Sequence, residues 1–418
     1  MTEFRHVEPV SEIAAVRRCF AGLAIVCLLC ACDQGQEQGP GYVVRDSAGI
    51  RIVENTTPTW GEADGWRLGE QPVIAIGGTA GDPNYELYRV SDALRLSDGR
   101  LVVANSGTSE LRFFTEEGEY LMKVGGRGEG PGEFGGLTWI HAFGPESIIA
   151  YDRRLLRVSV FDTAGRFVRS TSFAPVEGGT VTRLVGMFSD RSFLAQDLTM
   201  IGPGPGDPTG DVIRRTVGLY RYGVDGLPTD TLGTYLDYET IGLEAGGRMV
   251  VSVLVFGRSS HFATHGQQFY VGTNDTYQIE VYSTEGSLTS IVRRPHENLP
   301  VTREDVAAIR SERVPEGGDP NRRRLLEKAF EAMPVPETMP AFSTIHIDDV
   351  GNLWVEEYNR PGDEVPRWTV FDQSGVMLGT MTFPGRLRLL DAGDDYVIGV
   401  WRDEIDVEHV QLYELIKP

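Results

Sequence analysis

The chain has 418 residues, with 39 Lys and Arg against 60 Asp and Glu, a formal net charge of −21. That balance leaves no basic stripe for a phosphate backbone and excludes nucleic acid as the expected partner. All four cysteines (Cys19, Cys27, Cys30 and Cys32) lie in the first 32 residues, so the rest has no disulfide framework, cysteine metal site or thiol nucleophile.

At the N-terminus Arg17 and Arg18 precede an apolar run from Cys19 to Leu29. The run is too short to span a bilayer as a mature helix and reads as a signal-peptide core with its basic flank. It ends Leu29-Cys30-Ala31-Cys32, which resembles the bacterial lipobox with an unusual Cys at the second place. The resemblance implies removal of residues 1–31, a diacylglycerol on the Cys32 thiol and acylation of the new amino group. The Gly-rich polar stretch that follows makes residues 32–41 a flexible, lipid-anchored tether.

From Tyr42 on, one pattern keeps returning: alternating apolar residues, a short polar turn ending in Gly, and more alternation. It reads LRFFTEEGEYLMKV (Leu111–Val124), VSVFDTAGRFVRS (Val158–Ser170), LYRYGVDGLPTDTL (Leu219–Leu232), IEVYSTEGSLTSIV (Ile279–Val292) and WTVFDQSGVMLGTM (Trp368–Met381). Each is a hairpin whose glycine takes a positive φ. Before each hairpin, and once more near the C-terminus, comes a polar turn and a short apolar strand, as in SDGRLVVAN (Ser97–Asn105) and GDDYVIGVW (Gly393–Trp401). Six such units of four short strands predict an all-β fold over residues 42–418, a six-bladed β-propeller with four-stranded blades.

The sixth unit lacks an outer strand of its own, and Trp66–Ile76 is expected to supply it and close the ring. A further hairpin, YVVRDSAGIRIVEN (Tyr42–Asn55), is expected beside that blade. Between blades four and five lies the one helical stretch, residues 301–333. Thr302 with Asp305 suggests a capping box, and Asp319-Pro320 an N-cap followed by a first-turn proline. The Pro/Gly-rich segment Ile201–Asp211 reads as a mobile loop.

The blade pattern, together with GGRGEGPGEF (Gly125–Phe134), resembles the NHL-type repeat and, more closely, the bacterial six-bladed β-propeller lipoproteins. VVRDSAGIRIVEN and FYVGTNDTYQIEVYSTEG (Phe269–Gly286) are similar to the same family. The resemblance covers Tyr42 to the C-terminus and implies the fold rather than an activity.

Motifs that carry chemistry are sparse. The glycines of Gly126–Gly132 run into a strand, with neither the helix start of a dinucleotide fingerprint nor the Gly-Lys-Ser/Thr end of a P-loop. No Gly-x-Ser-x-Gly elbow occurs, and Asp348-Asp349-Val-Gly-Asn352 lacks the ligand spacing of a calcium loop. The histidines are scattered, and the aromatics Trp139, Tyr151, Trp354, Tyr358, Trp368 and Trp401 either line a ligand-binding mouth or, for most of them, fill the packing between blades.

One polar residue ends the second strand of five units: Asn105, Asp152, Asp197, Asn274 and Glu357. Two readings apply. Hard oxygen ligands converging from several blades would hold calcium at the channel mouth, as in propeller enzymes of the gluconolactonase and paraoxonase type. Alternatively each hydrogen-bonds a neighbouring turn, and the repetition is structural; this reading is preferred, with no metal or other cofactor expected. The expected protein is therefore a non-catalytic scaffold in the cell envelope, facing periplasm or exterior and touching the membrane through its lipid alone. It binds a protein, peptide or glycan through one face of the ring. The alternative is a metal-dependent lactonase- or lyase-like hydrolase.

Overall fold

Short strands succeed one another through almost the whole chain. The computed structural model describes residues 37–418 apart from 62–63, 79–80, 177–180, 198–209, 246–247, 315–316 and 318. The expected signal peptide, Cys32 and most of the loop Ile201–Asp211 lie outside the described residues.

Five strands come first: β1 (Glu37–Gly39), β2 (Tyr42–Ser47), β3 (Ile50–Asn55), β4 (Arg67–Leu68) and β5 (Ile74–Ile76). The first repeating sheet is β6 (Val90–Arg95), β7 (Leu101–Asn105), β8 (Glu110–Phe114) and β9 (Tyr120–Gly125). The second is β10 (Leu137–Ala142), β11 (Ser147–Asp152), β12 (Arg157–Asp162) and β13 (Phe167–Ser172). The third has five strands: β14 (Val181–Met187), β15 (Phe193–Asp197), β16 (Val212–Tyr222), β17 (Pro228–Ala245) and β18 (Arg248–Val253). The fourth begins with β19 (Ser260–His265), β20 (Gln268–Thr273), β21 (Gln278–Ser283) and β22 (Leu288–Arg293). Helices α1 (Arg303–Arg313) and α2 (Pro320–Glu331) intervene before the fifth: β23 (Phe342–Ile347), β24 (Leu353–Glu357), β25 (Arg367–Phe371) and β26 (Met377–Thr382). The sixth is β27 (Arg388–Ala392), β28 (Tyr396–Arg402) and β29 (Glu408–Ile416), with β5 and β4 both paired to β29. Strands from residues 67–76 and the C-terminal strand thus share one sheet.

Strands consecutive in sequence pair antiparallel within each sheet; β3 on β22, and β4 and β5 on β29, join from elsewhere in the chain. The second strands are apolar on both faces (every residue of β7 is buried) because each sheet is covered on both sides. Buried clusters join the first sheet to the second, the second to the third, and so on to the sixth. Another joins the sixth to the first, through Ile398, Val410 and Ile76 against Val90, Val103 and Phe114.

The turn glycines explain the repeating motif. Gly165 and Gly375 have φ of 76° and 83°, the left-handed region. A Cβ on Gly165 would stand 2.7 Å from Val124 of the preceding sheet, and one on Gly375 2.6 Å from Val292. Glycine is required here for the turn and for the close approach of sheets alike.

The first strands begin, and the second strands end, at one rim, called the upper rim below. Both helix caps follow their sequence signals. Thr302 and Asp305 cap α1 reciprocally, and Asp319 accepts from the Asn321 N–H at the start of α2, with Pro320 in the first turn. Val306, Ile309, Phe330 and Met333 pack on Val255, Phe256 and Met339 at the upper rim. The 18-residue strand β17 and its partners extend far past β15, which pairs only with the last residues of β16.

Several expectations change. The sheets hold four to seven strands rather than a uniform four, since β18 widens the third and β1–β3 widen the fourth. The hairpin Tyr42–Asn55 extends the fourth sheet, not the sixth: β3 runs parallel to β22, Ser290 opposite Arg51. It covers an edge strand that would otherwise present unpaired N–H and C=O groups. Glu54 pairs with Arg293, and Asn55 donates to the Gly375 carbonyl (2.9 Å) and accepts from the Met377 N–H (2.8 Å). Residues 37–39, expected as tether, form β1 against β2.

Candidate functional site

Asn105, Asp152, Asp197, Asn274 and Glu357 all sit at the upper rim, and each is engaged within or beside its own sheet. Asn105 accepts the Tyr88 N–H (2.8 Å), and Asn274 accepts the Ser259 N–H (2.7 Å). The Asp152 carboxylate accepts four backbone N–H groups, from Gly135, Gly136, Arg154 and Leu155, at 2.6–3.1 Å. Asp197 accepts from Gly218 (2.8 Å). Glu357 accepts from Tyr277 Oη (2.9 Å), Arg294 (2.8 Å) and Thr369 Oγ1 (2.5 Å). In three of the five the acceptor oxygen fastens the loop that leads into the first strand of its own sheet. Among the described residues, no three His, Cys, Asp or Glu side chains form a group that could hold a metal ion. Each of these residues is engaged by donors on its own part of the rim, and the five do not come together as a ligand set.

The polar groups that do converge lie elsewhere. The first strands of all six sheets line one cavity of about 470 Å³. Asp92, Trp139, His141, Thr264, His346 and Asp391 face it. Bulges in β6, β10, β23 and β27 shift the register of these strands. Sequence reasoning missed the site because its residues come singly from strands far apart in the chain. The signals available were Trp139 among the aromatics that could line a mouth, and Asp-Ala in two first strands, Asp92-Ala93 and Asp391-Ala392.

Burial sets the protonation of this lining. The Asp92 carboxyl accepts the Ala93 and Ile140 N–H groups (3.0 and 2.9 Å), yet desolvation wins and raises it to about 8, with the Asp391 charge adding. Asp391 is raised to about 7 by burial and then by the Asp349 charge. Tyr396 Oη lies 3.0 Å from Asp391 Oδ2 and 3.1 Å from Asp349 Oδ2. His141 and His346 are lowered to about 4 by burial. His141 exposes its ring to the cavity, but protein surrounds it closely enough to disfavour the cation. It stacks on Trp139 with centroids 5.3 Å apart and planes at 9°. Nε2 of His346 is buried without a hydrogen-bond partner.

Near neutral pH burial holds the His141 and His346 imidazoles neutral and favours the protonated form of Asp92, beside the Asp349 and Asp391 carboxyls and an aromatic platform. Such a lining offers a polar ligand both stacking and hydrogen bonds. His261 and His265 share β19, roughly 13 Å apart at the rise of an extended strand, too far to share one metal. Of the singled-out aromatics, Tyr151, Trp354 and Trp368 are buried between sheets, Tyr358 lies under the helices, and Trp401 packs on His409. Only Trp139 of the six lines the cavity.

Residues 86–177, which span the first two repeating sheets, match a family model described as a 6-bladed beta-propeller. The chain is a β-propeller. Among solved structures, a DUF4221-family member from Bacteroides vulgatus aligns with a TM-score of 0.51 and 10% identity. That alignment covers 84% of the propeller chain and 98% of the other. A protein of Bacteroides fragilis described as exported gives 0.49 and 14%, over 88% and 100%. Virginiamycin B lyase from Staphylococcus aureus gives 0.40 and 9%, over 84% and 100%. At these identities the likeness concerns the fold alone. No curated protein matches the propeller in sequence. No helix among the described residues is long and apolar enough to cross a membrane.

Proposed function

We propose that this is a six-bladed propeller, closed by β5 on β29 and held in the cell envelope by a lipid on Cys32. It acts as a non-catalytic binding module whose ligand is a polar, uncharged portion of a glycan seated in the central cavity. The observation that carries this reading is the division of polar groups. The repeated Asp and Asn residues are spent on the fold, whereas the cavity keeps a stacked Trp139–His141 pair with Thr264 and the His346 ring along the same lining. Aromatic platforms with neutral hydrogen-bonding groups are what a sugar face and its hydroxyls require. The helical insertion and the extension of the third sheet stand at the upper rim, whereas the cavity lining runs to Ser189, Gly266 and Asp349 at the opposite ends of the first strands.

The hydrolase alternative would need a cation on Asn105, Asp152, Asp197, Asn274 or Glu357, and the backbone and side-chain donors these residues engage support the non-catalytic reading instead. The test is ligand-observed NMR of the full chain against neutral oligosaccharides, using wild type, Trp139→Ala and His346→Ala. Binding that both substitutions weaken supports the cavity. Binding that neither affects places the ligand elsewhere and sinks the reading.

A further inference from the structure

The fourth sheet departs from the repeat at one pair of positions. In the first, second and fifth sheets the residue opposite the strand-end polar residue, and the one opposite the position two before it, are apolar. They are Val90 and Ala93, Leu137 and Ile140, and Phe342 and Ile345. In the fourth sheet they are Ser259, whose carbonyl accepts the Asn274 N–H (3.0 Å), and His261, opposite Gly272. The other three sheets carry a bulge between the two positions, and β19 does not. Without the extra residue the two side chains stand two apart on an extended chain, and so on one face of it. Ser259 Oγ lies 2.9 Å from His261 Nε2.

The surrounding hydrogen bonds give that contact a direction. Asn274 Oδ1 accepts the Ser259 N–H (2.7 Å), so the amide nitrogen of Asn274 is the donor, to the Phe342 carbonyl and to Ser259 Oγ, both at 3.1 Å. The serine oxygen therefore accepts from Asn274, and among the described residues Nε2 is the acceptor that its own hydrogen meets. Burial, with the Arg183 charge adding, lowers His261 to about 4, so the ring is neutral and Nε2 keeps its lone pair. Phe342 lies against that ring, with centroids 5.8 Å apart. A hydroxyl that accepts from an amide on one side and donates to a neutral imidazole on the other is a nucleophile beside its base. Both residues are only half-buried. In the antiparallel alternation the Ser260 N–H turns away from β20 to the open edge of the sheet, a donor next to the serine.

We propose that Ser259 and His261 form a nucleophile–base pair that takes an acyl group from a carboxylic ester. Oγ bonds to the carbonyl carbon while its proton passes to Nε2. The carbon–alkoxy bond then breaks and the departing alkoxide takes the proton from Nε2, leaving acyl-Ser259 and an alcohol. Acylation of Ser259 is a stoichiometric modification. On β19 the cavity lining starts at Phe262, so the pair lies outside it and the glycan reading neither requires this one nor is required by it.

The experiment is acetylation of the full chain by p-nitrophenyl acetate, followed by p-nitrophenol release and by peptide mass mapping. Acetyl-Ser259 in folded wild type is expected, absent from Ser259→Ala, formed about a hundredfold or more slowly in His261→Gln, and unchanged in Ser47→Ala, an exposed hairpin serine. No acetyl group on Ser259, or equal acetylation of Ser47, overturns the pair. A wild-type rate in His261→Gln overturns the base. Should that variant not fold, the wild-type pH profile decides the same point. The rate is expected to level off above about pH 5, where His261 has lost its proton, and a rate rising in proportion to hydroxide from about pH 6 to 9 overturns the base.

Discussion

The hydroxyl of Tyr396 lies 3.0 Å from Oδ2 of Asp391, a cavity carboxyl raised to about 7 by its burial. Asp349 Oδ2 is 3.1 Å from the same hydroxyl. One phenolic hydrogen cannot serve two carboxylates, so a proton on one acid completes the arrangement. Tyr396→Phe leaves both carboxyls without that partner, at an expected cost of about 1–3 kcal/mol. The tyrosine hydrogen bond lowers both acids, so its loss raises them further and the defect grows with pH. Urea unfolding of the variant at pH 5 and pH 8 checks this; an equal defect at both counts against a shared proton.

The same burial makes stability depend on pH in a defined direction. Asp92 and Asp391 bind their protons more tightly folded than unfolded, so their contribution is complete below about pH 4. It is lost as the pH rises towards about 7 for Asp391 and about 8 for Asp92. His141, His261 and His346 act oppositely: lowered to about 4, they contribute above about pH 6.5 and lose that contribution as pH falls. The two sets oppose each other between pH 4 and 6.5, and above that the carboxyls act alone. Unfolding free energy is therefore expected to fall from pH 6.5 to 8, by at most about 1.4 kcal/mol per unit for each proton, since cavity water screens the charges. Glu356, also raised to about 7 by burial, adds to the fall with Asp391; Asp92, the most raised of the three, carries the largest share between pH 7 and 8, and Asp92→Ala should reduce the slope there. A slope unchanged in that variant would refute the assignment.

The turn glycines give a third expectation. Gly165→Ala and Gly375→Ala meet both an unfavourable φ and a neighbouring valine closer than 3 Å. Gly49 has a similar φ of 83° but open space around its missing Cβ. Gly49→Ala should cost about 1 kcal/mol for the backbone alone, and the other two about 1–3 kcal/mol more from overpacking between sheets. Melting temperatures of the three variants decide it: equal shifts would mean that the sheets give way freely.

The hairpins were legible because their turns demand a glycine and their strands alternate, and the second strands because sheets covered on both faces read as apolar runs. The first strands were expected in every unit, but their use was not legible: they line a cavity, and Asp92, His141 and Asp391 stand where a core strand would carry Val or Ile. The pairing of β3 with β22 was equally hidden, since an amphipathic hairpin suits any exposed edge and its partner lies more than two hundred residues away. For the repeated Asp and Asn residues the chemistry was visible but its use was not. An Asp at a strand end can hold a cation or a turn, and only the positions of the neighbouring N–H groups distinguish them.

Asp152 tests that distinction directly. Its two oxygens accept four backbone N–H groups. Asp152→Ala strands these donors beside a buried side chain and is expected to destabilise the protein by about 2–4 kcal/mol. Asp152→Asn replaces one accepting oxygen with an NH₂ that faces N–H donors, and should recover only part of the loss. Were Asp152 instead a cation ligand, calcium would stabilise the wild type and both variants would lose that stabilisation. The expected result is a wild-type melting temperature indifferent to calcium and to EDTA, with both variants destabilised in their presence and absence alike. A calcium-dependent rise in wild type that Asp152→Asn abolishes would restore the metal reading of the upper rim.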